Sequence, residues 1–183
     1  MAIEIEKKYR LTEQQRADVI ESLKEFGAEC LGRDDEENII YGNQYMAEQS
    51  SVLRLRRIGD KTILTFKKRL PGLSDAKHQI EEETEVSDHD TTAAIIENLG
   101  LEKRLVYEKR REKWRLRNTD VLIDELPFGL YLEIEGSITA IKEVEMLLDA
   151  DLFESEPETY PRLTMRFGKR VESCVEARFD QTR

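Results

Sequence analysis

"VLRLRR", Val52–Arg57, alternates apolar and basic side chains. Successive side chains of a strand point to opposite faces, so Arg54 and Arg56 share one face and Leu53 and Leu55 the other. The same alternation recurs along the chain. "EIEKK" at 4–8 sets Glu4, Glu6 and Lys8 against Ile5, and "TILTFKKRL" sets Thr65 and Lys67 against Leu64 and Phe66. "IEEETEV" groups Glu81, Glu83 and Glu85, while "VYEKRREKW" aligns Lys109, Arg111 and Lys113 opposite Val106 and Trp114. "VLIDEL" carries Asp124, and "YLEIEG" aligns Glu133 and Glu135 opposite Leu132 and Ile134. Strand after strand, one face is charged and the other largely apolar.

Two architectures satisfy that pattern. In an ordinary small barrel the apolar faces point inward and the charges meet water. Alternatively, helices cover the apolar faces, and the charged faces line the barrel interior. Lys8, Arg54, Arg56, Lys67, Lys109 and Arg111 would then share an interior with carboxylates. Buried charges are costly unless paired or bound, so a lumen of mixed sign suits a polyanion held with divalent cations. Arginine forks grip phosphate oxygens in bidentate fashion, and carboxylates hold hard cations such as Mg2+ or Mn2+ through oxygen. A solvated face of surface ion pairs is the competing reading for each charge taken singly.

The chain has 183 residues, 37% of them charged and 39% hydrophobic, which fits a single domain over 1–183 able to bury a core without staples. A net charge of −10 argues against general nucleic-acid binding. Cys30 and Cys174 match no ligand or redox spacing, which suits a reducing cytoplasm; the sequence leaves their pairing open. His78 and His89 read as surface residues. With no signal peptide and no long apolar run, no membrane residence is expected.

Helical signals punctuate the strands. Thr12 and Gln15 form a capping box before Ile20, Leu23 and Phe26 at helical spacing, and Gly27 supplies the stop. A second helix is expected from about Asp90 to Leu99, with Ile95, Ile96 and Leu99 inward. A third begins near Ser137 and carries Ile141, Val144, Leu147 and Leu148. "PGLSD", Pro71–Asp75, reads as a loop. Lys7, Arg10, Lys68, Arg110 and Lys113 are expected to be solvated, and Trp114 to pack under a helix.

The ordered series Glu4-x-Glu6-x-Lys8, Arg54-x-Arg56, Lys67, Glu83-x-Glu85, Lys109-x-Arg111, Asp124 and Glu133-x-Glu135 resembles the CYTH superfamily, the triphosphate tunnel metalloenzymes. The match in order and approximate spacing runs over about residues 2–150. The resemblance implies an α+β fold, an eight-stranded antiparallel β-barrel forming a tunnel with helices packed outside. It implies substrate-binding roles for Lys8, Arg54, Arg56, Lys67, Lys109 and Arg111. Glu4, Glu6, Asp124, Glu133 and Glu135 would bind Mg2+ or Mn2+, and Glu4, Glu6, Lys8, Glu83 and Glu85 would be catalytic. Members of this family include inorganic, thiamine and RNA triphosphatases and class IV adenylate cyclases.

The implied activity is therefore hydrolysis of inorganic triphosphate or a small organic triphosphate. A cyclase making cyclic AMP and pyrophosphate from ATP is the alternative, and a non-catalytic polyphosphate-binding module the second. The implied partner is a triphosphate-bearing small molecule; monomer and homodimer are both left open. Three features depart from the family pattern. "EENIIYG" at 36–42 keeps only Tyr41 of an expected Gln-x-Asp-x-Tyr. Glu81 stands where many relatives carry a basic or neutral residue, leaving the register of that strand open. "YPRLTMRFGKR" at 160–170 adds basic residues with no place in the series.

Overall fold

The computed structural model of the chain describes residues 5–69 and 79–180. Glu4, His78 and the loop expected at 71–75 lie outside the described residues. The long strands are β1 (Glu6–Leu11), β2 (Glu29–Gly42), β3 (Ser51–Ile58), β4 (Lys61–Arg69), β5 (Gln79–Val86), β6 (Glu102–Leu116), β7 (Thr119–Leu126) and β8 (Gly129–Glu135). Between and after them come α1 (Glu13–Glu25), α2 (Gln44–Glu48), α3 (His89–Asn98), α4 (Ile138–Leu147) and α5 (Tyr160–Phe167). Short strands β9 (Lys169–Val171) and β10 (Cys174–Ala177) follow. The hydrogen-bonded order is β1-β8-β7-β6-β2-β3-β4-β5, with β1 and β5 at the ends of the path. Neighbouring long strands run antiparallel in β1/β8, β8/β7, β7/β6, β2/β3, β3/β4 and β4/β5, in agreement with the expected class.

The chain divides into two compact units. Among the described residues, one combines 5–34 with Arg110–Glu158; the other combines Asp35–Lys109 with 159–180. Strands β2 and β6 each run through both.

In the unit holding β1, β7 and β8, helices cover the apolar strand faces. Tyr9, Leu11, Trp114, Leu116, Val121, Ile123, Leu132 and Ile134 are buried with Val19 and Leu23 of α1 and Ile141 and Val144 of α4. Each fully buried aliphatic side chain contributes about 1.5–3 kcal/mol, so this contact decides which strand face turns toward the helices. Trp114 lies in this cluster, as its alternation predicts. The α1 capping box is present at Thr12 and Gln15, and Gly27 takes the left-handed conformation, φ 71°, that ends the helix. Phe26 differs from expectation. As the C-cap residue it has left the inward stripe and is exposed.

Arg10 also differs. It pairs with the buried Glu156, whose carboxylate accepts from Arg10 Nε at 2.7 Å, and its guanidinium lies over the Tyr131 ring. Its even position places it with Lys8 rather than with the outward residues. Lys7 points the other way, to Glu145 of α4 at 2.7 Å.

In the second unit, Ile39, Tyr41, Leu55, Ile96, Val106 and Cys174 form the core. Only part of the expected α3 stripe faces it. Ile96 is buried with Ala93 against the cluster, whereas Ile95 and Leu99 are 55% and 74% exposed. Ile95 lies about 100° around the helix from Ile96, and Leu99 is the C-cap. The segment 160–170 becomes α5 and the start of β9, and β10 then lies parallel to β6 with Val175 opposite Leu105. Gly168 permits this turn, because a Cβ there would stand 2.6 Å from the Thr164 carbonyl oxygen. Arg178 fastens the end of the chain, donating to Glu37 at 2.6 Å and Glu108 at 3.1 Å.

Cys30 and Cys174 are free thiols. No helix among the described residues is long and apolar enough to cross a membrane.

Candidate functional site

The first unit gathers the carboxylates. Register places Glu6 opposite Glu135 and Lys8 opposite Glu133, and Arg111 opposite Asp124. One carboxylate oxygen from each of Glu6, Glu133 and Glu135 lies within 4.8 Å of the others. Like charges opposite one another on paired strands are destabilising. Two such charges 4 Å apart repel by about 4 kcal/mol at an effective dielectric of 20. An all-oxygen, all-anionic trio is the donor set that hard cations such as Mg2+ and Mn2+ take.

Two cations already steady this trio. Arg111 spans Asp124 with both arms, Nε to Oδ1 at 2.7 Å and Nη2 to Oδ2 at 2.6 Å, and also reaches Glu133. Lys8 Nζ lies 3.4 Å from Glu133 and donates to the Glu158 carbonyl at 2.9 Å. Burial pushes the Glu133 carboxyl above its ordinary range; Arg111 and Lys8 pull it down, while Asp124 and Glu6 add to the rise. The rise means that the local positive charge does not fully offset burial and the neighbouring carboxylates.

The tether on Lys8 was not legible in the motif series. Residues 154–158 run along β1, with Arg10 N–H donating to the Glu154 carbonyl and Glu156 N–H to the Lys8 carbonyl, both at 2.8 Å. The Arg10–Glu156 pair reinforces this strip.

The second unit gathers basic side chains. Arg54 is buried on β3, donating Nη2–H to Thr65 at 3.2 Å, with Glu81 and Glu83 each 3.6 Å away. Its buried Nε has no hydrogen-bond partner among the described residues. Burial, and then the like charge of Arg56, pull the Arg54 guanidinium below its ordinary value. Both effects mark a place where an anion would be welcome. Arg56 Nε donates to Asn38 at 3.0 Å, and Lys67 Nζ to Glu81 at 2.6 Å. The register of β5 is thereby settled, with Glu81 opposite Lys67 and Glu83 opposite Thr65. Glu85 stands opposite Ile63 and is exposed.

Glu36 and Asn38 belong to this cluster, although the motif series omits them. Glu36 lies 3.3 Å from Lys109 and 3.4 Å from Arg56, and it is buried together with Lys109. Their alternate positions in "EENIIYG", two polar residues before Ile40 on one strand face, were the available signal. Tyr41 points the other way, into the apolar core. The Tyr160 ring of α5 closes over Lys109, with Nζ 5.4 Å from its centroid.

Residues 2–163 match the family model of the CYTH domain. Among solved structures, the protein PH1012 from Pyrococcus horikoshii OT3 is 25% identical, with a TM-score of 0.75 over 87% of this chain and 98% of that one. An adenylate cyclase candidate from Vibrio parahaemolyticus is 20% identical, with a TM-score of 0.68 over 88% of this chain and 97% of that one. HpAC1 from Hippeastrum, described as an adenylyl cyclase candidate with a dominant triphosphatase activity, is 20% identical, with a TM-score of 0.65 over 94% and 99%. No curated protein matches the chain.

Proposed function

The chain belongs to the CYTH domain family, and from this and its two side-chain clusters we propose that it hydrolyses a triphosphate with the help of a divalent cation. The observation that carries the proposal is the trio Glu6, Glu133 and Glu135, three carboxylates held within 4.8 Å of one another. Such an all-carboxylate oxygen set fits Mg2+ or Mn2+. Glu4 and Asp124 are further ligand candidates, and Asp124 also orients Arg111 through both of its oxygens. When bound, the cation supplies charge neutralisation and Lewis acidity toward phosphate oxygens.

The chain's own residues have separable tasks. Arg54, Arg56, Lys67 and Lys109 bind phosphate oxygens, and the buried Arg54 Nε, with no acceptor among the described residues, is the donor most in need of one. Lys8 and Arg111 present positive charge beside the carboxylates. Glu83 and Glu85 support the attacking water. In the reaction, water forms a bond to the terminal phosphorus and gives up a proton. The bond from that phosphorus to the bridging oxygen breaks, and the diphosphate end leaves with the electron pair. Basic side chains stabilise the charge that develops on the phosphoryl oxygens. The free thiols suit a reducing compartment, and the cytoplasm is the proposed location.

The test is to incubate the pure protein with inorganic triphosphate, ATP and thiamine triphosphate, each with Mg2+ or Mn2+. Orthophosphate, pyrophosphate and cyclic AMP are then separated. Metal-dependent release of orthophosphate is expected. Cyclic AMP with pyrophosphate from ATP would instead assign the cyclase reaction, and no product from any substrate would leave a polyphosphate-binding module.

A further inference from the structure

Glu156 lies outside the motif series, in the unit that holds the carboxylate trio, and its side chain is buried. Burying a carboxylate is costly unless its oxygens are occupied, and here both are. Oε2 accepts from Arg10 Nε at 2.7 Å and from Nη2 at 2.5 Å, and Oε1 accepts from the Glu158 N–H at 2.8 Å. The last bond ties the side chain to the backbone two residues on. Pro157 lies between them. Its ring holds φ at about −65° and disfavours the helical region for Glu156, so residue 158 keeps little freedom once its N–H is held. The same segment is bonded to β1. Glu156 N–H donates to the Lys8 carbonyl at 2.8 Å, and Lys8 Nζ donates to the Glu158 carbonyl at 2.9 Å.

The Glu158 carbonyl is a neutral partner. It fixes the direction of the ammonium without cancelling its charge, as a carboxylate in its place would. Lys8 is itself buried, and its Nζ stands 3.4 Å from Glu133 of the trio. From this relay we propose that Glu156 is a positioning residue. Its carboxylate sets residue 158, whose carbonyl aims the Lys8 ammonium at the carboxylates and at the phosphate oxygens bound beside them. The inference rests on the triphosphatase reading, in which Lys8 presents positive charge at the site, and adds the group that keeps that charge in place. Pinning residues 154–158 to β1 needs only the Arg10 pair and the backbone bonds. The bond from the Glu158 N–H is the one that leads on to Lys8.

The experiment is a double-mutant cycle of the wild type, Glu156→Ala, Lys8→Met and the double variant, each assayed below its melting transition. The substrate is whichever of inorganic triphosphate, ATP and thiamine triphosphate the wild type hydrolyses fastest with Mg2+. Glu156→Ala should lower kcat/KM about tenfold or more, since a small displacement of a charge at the reacting centre slows the reaction steeply. In the Lys8→Met background the same change should lower it by no more than about twofold, because a residue that acts through Lys8 then has nothing to position. Wild-type kcat/KM in Glu156→Ala, or losses that multiply in the double variant, overturns the inference and leaves the triphosphatase reading standing. Should either side-chain variant melt early, Pro157→Gly decides. It keeps Glu156, Glu158 and Lys8, loosens only the exposed backbone link between the first two, and should lower kcat/KM about threefold; a wild-type value overturns the inference. Calorimetric Kd values for inorganic triphosphate on the same proteins keep the two readings apart. Binding without turnover removes the triphosphatase reading, and the cycle on Kd then tests Glu156 by the same criteria. Neither turnover nor binding overturns both.

Discussion

Glu6 stands directly opposite Glu135 on paired antiparallel strands, and oxygens of the two carboxylates lie within 4.8 Å of each other and of Glu133. Cross-strand pairs of like charge are normally avoided because nothing between them lowers the repulsion. Glu6 and Glu135 form such a pair, and Glu133, opposite Lys8, lies beside them, a grouping that fits the proposed cation.

Replacing Glu6 by Gln removes one charge of the trio and keeps its size. Without divalent metal, the variant should be more stable than the wild type by about 0.2–1 kcal/mol, the usual scale of a cross-strand pair. With Mg2+ or Mn2+ the order should reverse, since saturating a site about 100-fold above its Kd adds roughly 2.7 kcal/mol to the wild type. Melting curves in chelator and in metal measure both. An equal metal-induced shift in the two proteins would remove Glu6 from the ligand set.

Arg54→Lys keeps the charge but loses the planar fork and its Nε donor. Turnover should fall about 100-fold, a loss of roughly 2.7 kcal/mol of transition-state stabilisation, with a smaller change in KM. Steady-state kinetics on the preferred triphosphate separates the two. A rise in KM with kcat unchanged would mean that Arg54 only holds the ground state.

Glu36 serves as an internal anion for Lys109 and Arg56. Glu36→Gln should destabilise the ligand-free protein by up to roughly 3 kcal/mol, because it removes a buried carboxylate 3.3 Å from the buried Lys109 ammonium. Tripolyphosphate should then raise the melting temperature of the variant more than that of the wild type, since the added anion replaces the missing one. Identical shifts would show that these two cations do not meet phosphate.

The Glu37 carboxyl belongs to the unit without the carboxylate trio. Burial alone would raise its pKa, but the hydrogen bond and charge of Arg178, with Arg57 and His89 behind them, hold it below the ordinary value. A depressed carboxyl stabilises the fold above its unfolded pKa, near 4.3 for Glu, and that contribution is lost as pH falls through the lower folded value. Arg178→Ala should therefore lose about 0.5–1 kcal/mol of stability at neutral pH and much less near pH 3. Urea denaturation at the two pH values checks this. A pH-independent loss would point to lost packing of the Arg178 stem instead.

Local chemistry alone determined the alternating charged and apolar strand faces, the α1 capping box at Thr12 and Gln15, the inward stripe of α4 and which candidate residues share a strand face. Period-2 and period-3.6 patterns express which side of an element can leave water. They could not choose between apolar faces turned inward and apolar faces under helices. That was decided by Val19, Leu23, Ile141 and Val144 closing over the β1, β7 and β8 faces in one cluster whose two helices lie more than a hundred residues apart in sequence. Tertiary packing also set the β5 register through the Lys67–Glu81 pair and turned Ile95 and Leu99 outward. It brought Glu36 to Lys109 and the Glu158 carbonyl to Lys8. These partners follow no fixed spacing, because strand register, not sequence distance, determines which side chains meet.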